Sequence, residues 1–299
     1  MIRPVVEWRE KFLGKEHPET LQSKASLGVI LEKQGKYNEA ESTHRQVIEL
    51  QEKFLSKEHP DTLRSMNNLA VLLEKQRKYD KAEPIHRQTL QLRQEILGAD
   101  HLETLQSMNN LAVLLERQRK YDEAKLIHRQ TLQLREEILG TEHPNTLQSM
   151  GNLAVVLEKQ KKYDKAEPIH RQTLQLRERV LGPEHPDIIL SMNNLGIVLK
   201  SQGKYKEAEL IHRQALQLSE SEFGKEDLNT LQIMNSLAFL LEKQGKLAEA
   251  ELMCRQTAQL AEKVHGREHP DTIVYMDNLA MLVEDLEWSD DSTHSSDIA

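Results

Sequence analysis

A single cysteine, Cys254, cannot close an intrachain disulfide, and with no second thiol it cannot seed a thiolate metal cluster. A disulfide-stapled secreted scaffold is therefore excluded, and a reducing, cytoplasmic setting is expected. Long apolar runs are missing too: nothing approaches the ~20 consecutive residues of a membrane helix, so no membrane partner is expected. The start, MIRPVVEWRE, carries acidic residues and no apolar core, unlike a secretory signal. Positive charge is not in excess. Acidic side chains number 48 against 40 basic ones, for a net charge of -8, which makes general nucleic-acid binding unexpected. Six acids, Glu284, Asp285, Glu287, Asp290, Asp291 and Asp297, stand in a C-terminal stretch without a basic residue. Most of the acidity thus belongs to the end of the chain.

What the sequence has in abundance is itself. Glu-His-Pro recurs at Glu16-His17-Pro18, Glu58-His59-Pro60, Glu142-His143-Pro144, Glu184-His185-Pro186 and Glu268-His269-Pro270, always on a period of 42 residues. Leu27, Leu69, Leu111, Leu153, Leu195, Leu237 and Leu279 form a second column; Ala40, Ala82, Ala124, Ala166, Ala208 and Ala250 form a third. Tyr37, Tyr79, Tyr121, Tyr163 and Tyr205 form a fourth. Within one period, Leu63, Met66, Leu69, Ala70 and Leu73 recur at helical steps, and a second apolar series, Ala82, Ile85, Thr89 and Ile96, follows the polar turn at Arg77-Lys78. Pro60 suits a first helical turn, and Gly98 suits the left-handed residue that closes a helix. Each period is then a helix A, a tight turn and a helix B, and no segment alternates at period two.

One such hairpin cannot bury both apolar faces, whereas stacked neighbours can. The expected fold class is all-α, a right-handed α-solenoid. Residues 1–16 read as an incomplete leading repeat of helix B type, 17–268 as six full repeats, 269–287 as a final helix A and 288–299 as an acidic disordered tail. Small residues set the helix spacing, which accounts for an aromatic content of only 4%. Because Met1 falls inside a helix B, the chain also reads as a fragment of a longer array.

Asn68-Leu69-Ala70, Gln76-x-Lys78-Tyr79-x-x-Ala82-Glu83-Pro84, Leu97-Gly98 and Glu58-His59-Pro60-Asp61 resemble the long tetratricopeptide repeat of the kinesin light chain family. The resemblance spans about residues 1–287. It implies a protein-interaction scaffold that receives an extended peptide on its helix A surface. Similar arrays are attached to fungal and bacterial ATPases of NB-ARC type. A sensor or oligomerisation array tied to such an NTPase, or a cargo adaptor tied to a kinesin motor, is therefore the alternative.

On helix A the peptide-facing positions are expected to be Arg64, Asn67, Asn68 and Lys75, then Asn109, Asn110 and Arg117, then Asn152 and Lys159, then Asn193 and Asn194, then Asn235 and Lys243. Asparagine carries both a donor and an acceptor, so a ladder of them can pair with an extended backbone; the cations would select acidic side chains. The bland reading is a solvated helix face. At the C-terminus, Leu286, Trp288, Asp290 and Asp291 resemble the tryptophan-acidic peptides bound by kinesin light chains, and self-docking of this tail is a further expectation.

No metal site is expected from the 13 histidines. Ligands of one zinc ion lie only about 3.4 Å apart, while equivalent residues of stacked helices are separated by ~8 to 10 Å. The column His44, His86, His128, His170, His212, ending in Cys254, therefore reads as packing, with a burial-dependent response to pH. The Glu-His-Pro histidines read as residues of helix starts. Every Glu-His pair recurs with the period, and no phosphate-cradling loop or nucleophile elbow is present, so neither catalysis nor a cofactor is expected.

Overall fold

The computed structural model describes the backbone of residues 2–294 and the side chains of residues 2–284. It divides into two compact units, Met1–Ser149 and Met150–Ala299. The first contains α1 (Ile2–Leu13), α2 (Pro18–Lys33), α3 (Tyr37–Phe54), α4 (Pro60–Lys75), α5 (Tyr79–Leu97), α6 (Leu102–Arg117), α7 (Tyr121–Leu139) and the start of α8 (Pro144–Lys159). The second contains the rest of α8, then α9 (Tyr163–Leu181), α10 (Pro186–Ser201), α11 (Tyr205–Phe223), α12 (Leu228–Lys243), α13 (Leu247–His265) and α14 (Pro270–His294). Among the described residues there is no strand. Even-numbered helices are helix A and odd-numbered ones helix B.

Each helix A starts the same way. His59 holds extended backbone (φ −65°, ψ 137°), and its Nδ1 accepts the Asp61 N–H at 3.2 Å, while Pro60 occupies the first turn, where its missing donor costs nothing. His17, His101, His143, His185 and His269 do likewise, and Asp227 does it with a carboxylate at 2.8 Å from the Asn229 nitrogen. These histidines are N-caps, a role that needs the proton on Nε2.

The A-to-B turn closes on a positive-φ residue, Gly35 (74°), Gly203 (76°) or Gly245 (74°). Arg77, Arg119 and Lys161 take the same conformation at 58°, 62° and 59° despite a Cβ, a cost of roughly 1–2 kcal/mol each. The following amide reaches back to the helix, as Lys78 N–H does to the Leu73 carbonyl at 2.9 Å. Helix B ends differently from expectation. Gly98 lies at φ 92°, ψ 162°, an extended positive-φ region open essentially to glycine, and not in the left-handed helical region. The chain leaves the helix at once and does not wind a further turn.

Inside each unit consecutive helices pack in order, and neighbouring A helices also touch, α2 on α4, α4 on α6 and α10 on α12. The alanine column, on helix B, lets each B helix nest closely against the A helices beside it: Ala40, Ala82, Ala124, Ala166, Ala208 and Ala250 are fully buried. Leu69, Leu73, Ala82 and Leu114 form one cluster, with Tyr79 packed against it as a filler between hairpins. Tyr205 does the same beside Leu195, Leu199, Ala208 and Leu240.

Buried arginines, invisible to hydropathy, join one repeat to the next. Arg93 on α5 donates through Nη1 to the Glu103 carbonyl (3.0 Å) and Ser107 Oγ (2.8 Å) on α6. Arg135 on α7 repeats this with Asn145 and Ser149, both at 2.8 Å, and Arg177 on α9 with Asp187 (3.1 Å) and Ser191 (2.7 Å). On α11 the motif is exchanged for another: Ser219 meets Thr230 at 2.7 Å, and Ile233 fills the serine position.

The last helix runs past the boundary at 287, to His294, because 285–294 contain neither glycine nor proline to stop it. The expected docking of Leu286, Trp288, Asp290 and Asp291, and most of the acidic tail at 288–299, concern side chains outside the described residues.

Candidate functional site

On helix A the apolar positions face inward and leave one stripe that neighbours cover only partly. In the first unit it carries Arg64 and Lys75 exposed, with Asn67, Asn68 and Asn110 half-buried. Asn109 is only 6% exposed, set into the packing and not on the surface. The asparagines do form a ladder, but with one another: Asn110 Nδ2 donates to Asn67 Oδ1 at 2.9 Å, and Gln106 Nε2 donates to Asn110 Oδ1 at 2.8 Å. In the second unit Asn278 repeats the bond to Asn235 at 2.9 Å. Asn152, Asn193 and Asn194 are half-buried, Asn193 with an Oδ1 that is out of solvent and unpartnered. Part of the hydrogen-bonding capacity assigned to a peptide therefore holds adjacent helices in register.

The cations are also engaged. Lys75 meets Glu32 at 2.6 Å and Arg117 meets Glu74 at 3.1 Å, each reaching back to the preceding helix A. Arg64 pairs with Asp61 at 2.6 Å and Lys243 with Glu242 at 2.7 Å, while Lys159 is exposed. Each of the first two pairs joins a half-exposed cation to a nearly buried carboxylate, Glu32 at 11% and Glu74 at 7%, so the cation keeps its glutamate while its outer face, with donors to spare, stays open to a ligand.

Behind this stripe lies the histidine column. His86 and His128 are fully buried, with Nε2 2.7 Å from Glu74 Oε1 and 2.6 Å from Glu116 Oε1. Because Glu74 also holds Arg117, a polar chain His86, Glu74, Arg117 links core to surface. His44 and His212 behave otherwise: neither ring nitrogen has a partner. Helix A explains it. Their neighbours are Gly28 and Gly196, where a Cβ would lie 2.6 Å from His44 Cε1 and 2.5 Å from His212 Nε2, so the ring occupies the space that alanine fills in other repeats. Gly28→Ala should be tolerated, since His44 can turn to Glu32 as His86 turns to Glu74. Gly196→Ala should cost about 1–3 kcal/mol, because Lys200 stands where the glutamate would be. Urea unfolding midpoints of the two variants check this contrast.

The basic turn edge is compensated. Lys78 meets Glu41 at 2.8 Å, Lys120 meets Glu83 at 2.7 Å, and Lys204 and Lys246 repeat the bond to Glu167 and Glu209 at 2.7 Å. The Lys78 ammonium holds the Glu41 carboxyl down at about 2. Hydrogen bonds from Lys120 and Arg87 outweigh burial at Glu83 to the same value, and those from Lys246, Gln244 and Arg213 do so at Glu209. Among the described residues no group of three or more His, Cys, Asp or Glu could hold a metal ion, and no helix is long and apolar enough to cross a membrane.

Family models named tetratricopeptide repeat match residues 21–93, 61–137, 117–174 and 152–221, and a further one matches 230–271. The chain belongs to the tetratricopeptide repeat family. Within it the likeness is to kinesin light chain-like proteins. The nearly identical repeats of a Podosopora anserina protein assigned to the kinesin light chains superpose with a TM-score of 0.62 at 25% identity, over 69% of this chain and 98% of that one. BtubC (BKLC) from P. vanneervenii shares the fold at 22% identity (TM-score 0.67, 78% and 94% covered). So does the apo form of the quorum sensor NprR from B. thuringiensis, at 16% identity (TM-score 0.63, 88% and 69% covered). No curated protein sequence matches the chain. Proteins of this family are scaffolds that bind protein or peptide partners, and the fold is generally non-catalytic.

Sequence reasoning missed the arginines that tie helix B to the next helix A. Their signal was present as Arg93, Arg135 and Arg177 at the 42-residue spacing, matched by Ser107, Ser149 and Ser191.

Proposed function

We propose that the helix A stripe of each unit binds an extended, acidic segment of a partner protein, the chain acting as a scaffold and not as an enzyme. The observation that carries this reading is the repeated cation at the end of helix A, half-exposed on the stripe and able to take a second carboxylate beside its own glutamate. Lys75, Arg117, Lys159 and Lys243 are the selecting groups. Arg64, Asn67, Asn68, Asn110, Asn152, Asn193, Asn194 and Asn235 provide the polar floor, with Asn109 supporting it from within. A cytoplasmic adaptor linked to a motor is the second reading, favoured by the kinesin light chain-like neighbour at 25% identity.

Because Asn110 also bonds Asn67, alanine replacement of the asparagines would confound binding with stability. The cleaner variant is Lys75→Gln with Arg117→Gln and Lys159→Gln. Affinity capture from an extract should lose its salt-sensitive partner with the triple variant at unchanged helicity and melting temperature. Equal capture by both proteins would overturn the assignment.

A further inference from the structure

Three departures from the 42-residue repeat converge on one pocket of the second unit. Position 239 is phenylalanine where the other repeats hold Val29, Val71, Val113, Val155 and Ile197. Lys200 stands where Glu32, Glu74, Glu116, Glu158 and Glu242 stand, and Cys254 ends the histidine column. Together with Lys243, Asn235 and Met281, these residues line a cavity of about 340 Å³ on α10, α12, α13 and α14.

The pocket is built unlike a packing device. Phe239 is 40% exposed, where a ring recruited for stability would be covered. Two ammonium groups flank it, Lys200 Nζ at 4.7 Å and Lys243 Nζ at 4.9 Å from the ring centroid. Lys200 is half-buried, so its charge is poorly solvated, and burial pulls its pKa down. The exchange of glutamate for lysine also takes away the acceptor that His86 and His128 use, and His212, turned into the space beside Gly196, has neither nitrogen bonded. Among the lining residues Glu242 offsets one of the two lysine charges, and Glu158, outside the lining on the preceding helix A, faces Lys200 with a carboxyl that burial pushes toward its neutral form.

We propose that this pocket is the selective point of the scaffold, taking one carboxylate side chain of a partner segment between Lys200 and Lys243 while the adjoining apolar residue of that segment lies on Phe239 and Met281. The inference rests on the acidic-segment reading above. It adds that recognition is concentrated in the second unit, at an acidic residue next to an apolar one, and is not spread evenly over the repeats. The cation–π contacts keep both lysines poised, and the carboxylate gains a partly desolvated ion pair, which is stronger than one in water.

The reversions Lys200→Glu and Phe239→Val restore residues the other repeats carry and so preserve folding. The probe is a fluorescein-labelled peptide of six Glu-Leu pairs, with six Gln-Leu pairs as control, read by anisotropy on the full chain. Cys254, the only thiol, lines the pocket but is 6% exposed, so its rate of bimane labelling reads opening of the pocket wall, which an occupant should slow. The Glu-Leu peptide should bind, slow the labelling, and lose at least tenfold in affinity in each reversion. Binding that is unchanged in Lys200→Glu, or that leaves the labelling rate untouched, overturns the pocket. If that binding is lost in Lys75→Gln with Arg117→Gln, the acidic-segment reading survives alone; if neither peptide binds the wild type or the chain without residues 286–299, both readings fail. Binding only after removal of residues 286–299 would assign the pocket to the chain's own acidic end and overturn the partner assignment.

Discussion

Arg135→Ala should lower the unfolding free energy by about 2–4 kcal/mol, from two lost hydrogen bonds and the cavity left behind. Arg135 is 2% exposed, and its guanidinium bonds the Asn145 carbonyl and Ser149 Oγ across the junction of α7 and α8. Truncation removes both bonds, leaves the buried Ser149 Oγ without its donor and opens a cavity. The protein itself contains the repair. Around Ser219, serine replaces the arginine, isoleucine replaces the serine at Ile233, and Thr230 supplies the bond. Thr146 already occupies the equivalent of Thr230. Arg135→Ser combined with Ser149→Ile should therefore recover more than half of the loss seen with Arg135→Ser alone. Equilibrium urea unfolding of the three variants decides it. A cost under about 1 kcal/mol for Arg135→Ala would mean that the junction is held by apolar packing alone.

Acid should weaken the second unit well before its carboxylates protonate. Burial, reinforced by Arg177, holds His170 at about 4, and burial reinforced by Lys200 does the same for His212. Both folded-state values lie below that of the unfolded chain, near 6.5. The unfolded state therefore takes up protons that the native state refuses, and stability present at neutral pH is lost as pH falls from about 6.5 toward 4. By pH 4.5 each residue should remove about 2–3 kcal/mol. Glu158 works in the opposite sense, since burial raises its carboxyl and the native state gains from the proton. Glu209, held at about 2, adds its loss only below its ordinary range. Cysteine fills this column naturally at Cys254, so His170→Cys with His212→Cys should flatten the melting temperature between pH 7 and 4.5. An equally steep profile in that variant would place the acid sensitivity elsewhere.

The helices, the caps and the alternation of A and B were legible because each depends on spacing within about 20 residues, and repetition multiplied the signal. Glu-His-Pro, degenerate at Asp100-His101-Leu102 and Glu226-Asp227-Leu228, already marks the start of each helix A, and Ala82 with its equivalents marks the close contacts. Less legible was what each polar side chain does. Asn67 and Asn110 read as ligands for a peptide, yet they bond to each other, because residues 43 apart in sequence meet across adjacent helices. Lys75 and Arg117 read as open cations, yet each is held by a glutamate one repeat back.

The sequence by itself determined the all-α class, the 42-residue unit and its helix ends, since these follow from local propensity and periodic burial. Only the tertiary structure decided the partners of the buried polar groups: which histidine finds a glutamate and which fills the space beside a glycine, how Arg135 crosses a junction, and that Lys200, Phe239 and Cys254 share one pocket. Those contacts depend on atomic separations between repeats, where the presence or absence of a single Cβ redirects a ring, and no period along the chain encodes that.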